Sequence, residues 1–165
     1  MRKFIILSFF VALCFLQVKA QDVSLKGGLG YAMQSEKLGV LLGARVGLTP
    51  KIDLAGGFGL FFPDTYNNGN GTKVKSNIWM FDVDGHYNFI PGGAVKLYPL
   101  VGINFTTGKV KVNDTKTTNT EVGLNMGGGL AYSFTSKIDG FFEIKYILGN
   151  ADQGMLGFGV FYKLQ

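Results

Sequence analysis

Val23-Ser24-Leu25-Lys26-Gly27-Gly28-Leu29-Gly30-Tyr31-Ala32-Met33 separates into two surfaces. Successive side chains of a β-strand take opposite faces. Val23, Leu25, Gly27, Leu29, Tyr31 and Met33 therefore share one face, and Ser24, Lys26, Gly28, Gly30 and Ala32 share the other. A soluble barrel or sandwich puts its charges on a solvated exterior and its branched apolar residues inside. Here the charged face is also crowded with glycine, which suits a narrow, curved interior. The uncharged face reads as one that never meets water.

Seven further segments repeat the pattern, with charge always on the same side. The second strand is expected from Leu38 to Leu48 with Arg45 inward, the third from Ile52 to Phe62 with Asp53 inward, and the fourth from Ile78 to Phe89 with Asp82, Asp84 and His86 inward. The fifth, Val95 to Phe105, turns Lys96 inward, and its Pro99 suggests a bulge or break because proline has no ladder donor. The sixth runs from Val122 to Phe134. The seventh, Ile138 to Leu148, holds Asp139, Glu143 and Lys145, and the eighth, Met155 to Leu164, holds Lys163. Strands of about 9 to 11 residues cross a bilayer at a tilt.

Hydrocarbon cannot satisfy an open sheet edge, so these segments predict an all-β fold: an eight-stranded antiparallel up-and-down transmembrane β-barrel with a filled interior. Inside it, Lys26, Arg45, Lys96, Lys145 and Lys163 balance Asp53, Asp82, Asp84, Asp139 and Glu143 as a structural charge network. A first hairpin turning through residues 34 to 37 sets Lys26 opposite Arg45, and hairpin register sets Asp139 opposite Lys163.

Connections alternate in length. Thr49 to Lys51, Ile90 to Ala94 and Thr135 to Lys137 are short turns, whereas Pro63 to Asn77 and Thr106 to Glu121 read as long polar loops. Short periplasmic turns and long outward loops are the habit of outer-membrane barrels, and an even strand count puts both termini in the periplasm. Trp79, Phe62, Phe105 and Tyr146 suit an outer aromatic girdle, and Tyr87, Phe89, Tyr132, Phe134 and Tyr162 an inner one.

Residues 1–20 read as a secretory signal: Arg2 and Lys3, an apolar run from Phe4 to Leu16, then Val18-Lys19-Ala20, with cleavage expected between Ala20 and Gln21. A lipid anchor on Cys14 is disfavoured by the bulk of Leu13 before it. Residues 21–165 then form one barrel domain without cysteine. Of 16 basic and 11 acidic residues, removing Arg2, Lys3 and Lys19 leaves 13 against 11, so a nucleic-acid partner loses its main support.

Gly123 to Phe134, followed by Thr135-Ser136-Lys137 and Phe141 to Tyr146, resembles the penultimate hairpin of small outer-membrane β-barrel proteins. Lys96-Leu97-Tyr98-Pro99-Leu100-Val101-Gly102 is similar to their central strand. The resemblance, to the porin-like outer-membrane β-barrel domain family, implies a multi-pass monomer in the outer membrane of a Gram-negative bacterium. It also implies lipid and lipopolysaccharide around the barrel and the barrel-assembly machinery as a partner in biogenesis. No cofactor, metal or peptidoglycan-binding domain is implied.

Three functional readings follow. The preferred one is a non-enzymatic protein serving envelope integrity or binding a host or surface ligand through its loops. A narrow porin or transporter is the alternative. A lipid-modifying enzyme would have to use His86, the one histidine, whose more economical role is structural.

Overall fold

Eight strands occupy nearly the whole of residues 23–164: β1 Val23–Ala32, β2 Lys37–Gly47, β3 Ile52–Asn68, β4 Thr72–Tyr87, β5 Val95–Val112, β6 Thr115–Ser133, β7 Ile138–Gly149 and β8 Gln153–Lys163. The computed structural model describes residues 23–68, 72–90, 92–112, 115–150 and 152–164. Each strand pairs antiparallel with its neighbours in the chain, and β1 closes on β8.

The closed register is staggered. From Val23 the pairing runs through Val46, Leu54, Gly85, Val101, Met126, Tyr146 and Gly154, whose carbonyl accepts the Met33 amide at 2.8 Å. One circuit therefore returns to β1 ten residues beyond its start. Such a shear forces the strands to tilt by roughly 35–45° and sets a bore that side chains fill.

The outward face carries the apolar alternation. Leu38 is 56% exposed, Val101 62% and Phe142 50%, so about half of each side chain is left uncovered by the protein. Aromatic pairs mark both borders of this band: Phe58 with Trp79 (5.7 Å) and Phe81 with Phe105 (6.4 Å) towards one end, Tyr87 with Phe89 (5.7 Å) and Tyr132 with Phe134 (5.3 Å) towards the other. The second end holds the short turns. In two of them a threonine hydroxyl does the same work: Thr49 accepts the Ile52 amide at 3.0 Å, and Thr135 accepts the Ile138 amide at 3.0 Å.

At the opposite end the structure corrects the expected long loops. Pro63 to Asn77 and Thr106 to Glu121 are mostly strand: β3 and β4 stay paired as far as Asn68↔Thr72, and β5 and β6 as far as Val112↔Thr115. The pairing of β4 with β5 also continues, to Val74↔Val112. Four strands thus rise together as a wall, while β1–β2 ends at Ala32↔Lys37 and β7–β8 at Ile147↔Gln153. Polar composition suggests loops, but a wall wetted on both faces needs no apolar alternation. Pro63 does not stop β3, because the register shifts between Phe61 and Asp64. A bulge absorbs one extra residue and exchanges the two faces of the strand above it.

Three further expectations fail. The first hairpin turns through Met33 to Glu36, with Glu36 at φ 54, so Lys26 lies opposite Gly43 and Arg45 opposite Ser24. Asp139 lies opposite Phe161, two residues from Lys163. Pro99 breaks nothing: β5 passes through it, paired to Gly128. The Leu97 carbonyl accepts from Phe89 at 3.1 Å, so odd residues of β5 aim their amides at β4. Pairing with β4 ends at His86↔Leu100, one step before Pro99, and the missing donor is not needed.

Candidate functional site

The candidate site is the barrel interior and the mouth above it. Inward residues stack in four layers, because the stagger lifts each strand's contribution relative to its neighbour.

Nearest the short turns is a charged layer. Asp139, fully buried, lies 2.7 Å from the Lys163 ammonium and 3.4 Å from Arg45 Nη2, and accepts the Ser133 hydroxyl at 2.7 Å. Arg45 Nε faces Asp53 at 3.8 Å, and Asn88 donates to Asp53 at 3.0 Å. The Arg45 guanidinium also lies 3.9 Å from the Phe161 ring centre, a cation–π contact in a desolvated place.

Above this comes an aromatic layer of Tyr98, Leu100, Ala131, Phe141 and Phe161. Phe141 and Phe161 meet at 4.8 Å, and the His86 ring stacks on Tyr98 at 4.7 Å. His86 is 2% exposed.

The third layer is charged again. Lys26 pairs with Glu143, whose other oxygen accepts the Tyr98 hydroxyl at 3.0 Å. Lys145 bridges Asp82 at 2.9 Å and Asp84 at 3.2 Å. Asn125 donates to both carboxylates and Asn104 to Asp82. A cavity of about 30 Å³ lies among Lys26, Asp82, Glu143 and Lys145, room for about one water.

Ala32, Phe61, Met80, Ile147 and Met155 form the fourth layer, an apolar lid under the wall. At its rim Lys37, 5% exposed, reaches Asp64 at 2.7 Å and the Ser76 carbonyl at 3.3 Å. Gln153 joins Gln34 at 2.9 Å, and the Ser35 hydroxyl donates to it at 2.6 Å.

The structure therefore brings Lys26, Arg45, Asp53, Asp82, Asp84, Asp139, Glu143, Lys145 and Lys163 into two separate clusters. His86 joins the aromatic layer between them. Lys96 is inward and half-buried, but among the described residues it makes no ion pair within 4.0 Å. Ala20 and Gln21, the expected cleavage site, lie outside the described residues. Sequence reasoning misses the Lys37–Asp64 bridge, because the expected hairpin puts Lys37 in the turn and Asp64 in a loop. The signal was present in the parity of Lys37 with Gly39 and Leu41. It also misses the two apolar layers, since the inward Phe61, Phe141 and Phe161 carry no charge to mark their face.

The arrangement holds ions and rings in fixed places. Among the described residues no group of His, Cys, Asp and Glu is placed to hold a metal.

Residues 8–163 match the family described as the outer membrane protein beta-barrel domain. Among solved structures, the N-terminal β-barrel domain of Pseudomonas aeruginosa OprF aligns with a TM-score of 0.68 and 19% identity, over 87% of this chain and 97% of that one. Neisserial surface protein A aligns at 0.62 and 16%, over 87% and 95%. Ail, the attachment invasion locus protein of Yersinia pestis, in complex with the heparin analogue sucrose octasulfate, aligns at 0.63 and 13%, over 87% and 97%. At these identities the likeness is one of fold. No curated protein sequence matches the chain.

Proposed function

Since the chain belongs to the outer membrane protein beta-barrel domain family, we propose that it is a sealed, non-enzymatic barrel whose working surface is the wall of β3 to β6. Residues 1–20 are its export signal, both termini face the periplasm, and the wall stands outside the cell. The barrel anchors that wall, and the inward charges serve structure.

The observation that carries this reading is the contrast between the two ends of the bore. The interior is closed by rings and a lid, with Tyr98, Phe161, Met80 and Ile147 at most 2% exposed. The wall, in contrast, projects paired strands well beyond the lipid-facing band. Preformed, rigid edges and faces suit contact with a partner, because little ordering cost remains on binding. A host or abiotic surface ligand fits this geometry better than a solute in transit. As for an enzyme, His86 is packed against Tyr98 beneath the lid, away from any substrate.

Planar-bilayer recordings with the purified protein test the seal: no steady current is expected, and a steady single-channel current overturns the reading. Replacing 107–120 by a tight turn tests the wall. The barrel should still fold and cell attachment should fall; unchanged attachment removes the adhesive role.

A further inference from the structure

We infer that the outward face of the wall is a docking surface for the phosphate groups of outer-leaflet glycolipid, held by Lys75, Lys109, Lys111 and Lys116. This rests on the proposed topology, with the wall outside the cell.

Lys75 of β4 pairs with Lys111 of β5, and Lys111 pairs with Lys116 of β6. Directly paired residues put their side chains on the same face, within reach of one another. Three ammonium groups therefore stand in a row across three strands, with Lys109 one step below, between Asn77 and Thr118. On β4 this is the face of Trp79 and Phe81, and on β5 that of Phe105, so the row points outward, away from the mouth.

Like charges placed side by side repel, and no described residue compensates them. Among the described residues none of the four lysines forms an ion pair. Glu121, the nearest carboxylate along β6, has the opposite parity to Lys116 and Thr118 and lies on the inner face, where Asn119 donates to it at 2.6 Å. Thr118 and Thr120 continue the outer face as neutral donors, and Thr120 meets Thr107 at 2.9 Å. Among the described residues the row therefore has no anionic partner, and its charge suits an anion from outside the chain.

Its height and direction choose the anion. Lys75 stands four residues above Trp79 along β4, about 10 Å above the aromatic border for a tilted strand. That level is the headgroup zone, and lysine stems reach down towards an interface while keeping the ammonium in a polar layer. A side chain aimed sideways at this level meets a lipid headgroup before a soluble ligand. A compact ammonium on a flexible stem suits a phosphate as a point charge.

The test uses protein purified from outer membranes and transferred into phosphatidylcholine nanodiscs, with and without lipid A. Lipid A should raise Tm by about 5 °C, and 0.5 M salt should reduce the rise. The K75Q/K111Q/K116Q variant should match the unsubstituted protein in phosphatidylcholine alone and lose the rise. K137Q, in a turn at the other end, should keep it. A rise that survives in the triple variant overturns the inference. So does a rise produced by soluble heparin and not by lipid A, which would give the row to a soluble polyanion. A T115C variant, labelled by an impermeant maleimide on intact cells, keeps the two readings apart. Labelling without a lipid A effect defeats the lysine row alone, whereas labelling only after permeabilisation defeats the topology and the row with it.

Discussion

Lys26 and Glu143, 117 positions apart in the chain, form an ion pair inside the barrel, and the Tyr98 hydroxyl donates to the second Glu143 oxygen at 3.0 Å. Three strands are tied through one carboxylate. Replacing Glu143 by alanine leaves a part-buried ammonium and a buried hydroxyl without their partner, and breaking a pair of this kind costs up to about 3 to 5 kcal/mol. Asp152 accepts the Gly149 amide at 2.8 Å at an exposed turn, so Asp152→Ala should cost about 1 kcal/mol. Urea unfolding in lipid should separate the two variants clearly. Equal midpoints would deny the interior network a structural role.

Phe142 projects from β7 between Leu130 and Phe158, half exposed on the apolar face. With hydrocarbon around it, Phe142→Lys should lower stability in lipid by about 2 to 4 kcal/mol. The measurement is the fraction that folds into vesicles and gains heat-modifiable migration in gels. Unchanged folding would mean that lipid does not bathe this face.

Two glycines distinguish the inside of the bore from its outside. A Cβ at Gly102 would lie 2.2 Å from the Val83 carbonyl oxygen and 2.7 Å from Asp84 Cα, whereas at Gly56 nothing stands within 4 Å. Gly102→Val should therefore abolish the heat-modifiable form, because backbone cannot yield. Gly56→Val should keep it. The reverse result would contradict the assigned faces.

Phe161 is fully buried, packed on Phe141 at 4.8 Å and covered by the Arg45 guanidinium. Phe161→Ala should cost about 3 to 5 kcal/mol, the range for an aromatic removed from a core. The lid of Phe61, Met80, Ile147 and Met155 lies two layers away, so bilayer recordings of this variant should still show no steady current. A loss under 1 kcal/mol, read from chemical unfolding, would mean that the aromatic layer is loosely filled.

Much of this was legible along single strands. Lys26, Asp53, Asp82, Asp84, Asp139, Glu143 and Lys145 could be placed on the inward side from parity alone, because a strand has only two faces. Lys37 and Asp64 escaped, one by a turn that closes a residue earlier than expected and one by a bulge at Pro63. Polar wall strands such as Lys109–Val112 and Thr115–Thr120 carry no apolar alternation and so resembled loops. Their order comes from hydrogen bonds to neighbours, which composition does not record.

Alternation by itself determined that eight segments would present one face to lipid and one to a closed interior, since period two is a local property of the extended chain. Which inward groups meet was decided only by the stagger of the assembled barrel. A shift of ten residues per circuit puts Glu143 beside Lys26 and Tyr98, and the registers of β4 with β5 and of β5 with β6 set Lys75, Lys111 and Lys116 in one row. These are relations between strands, which the register of the assembled sheet fixes.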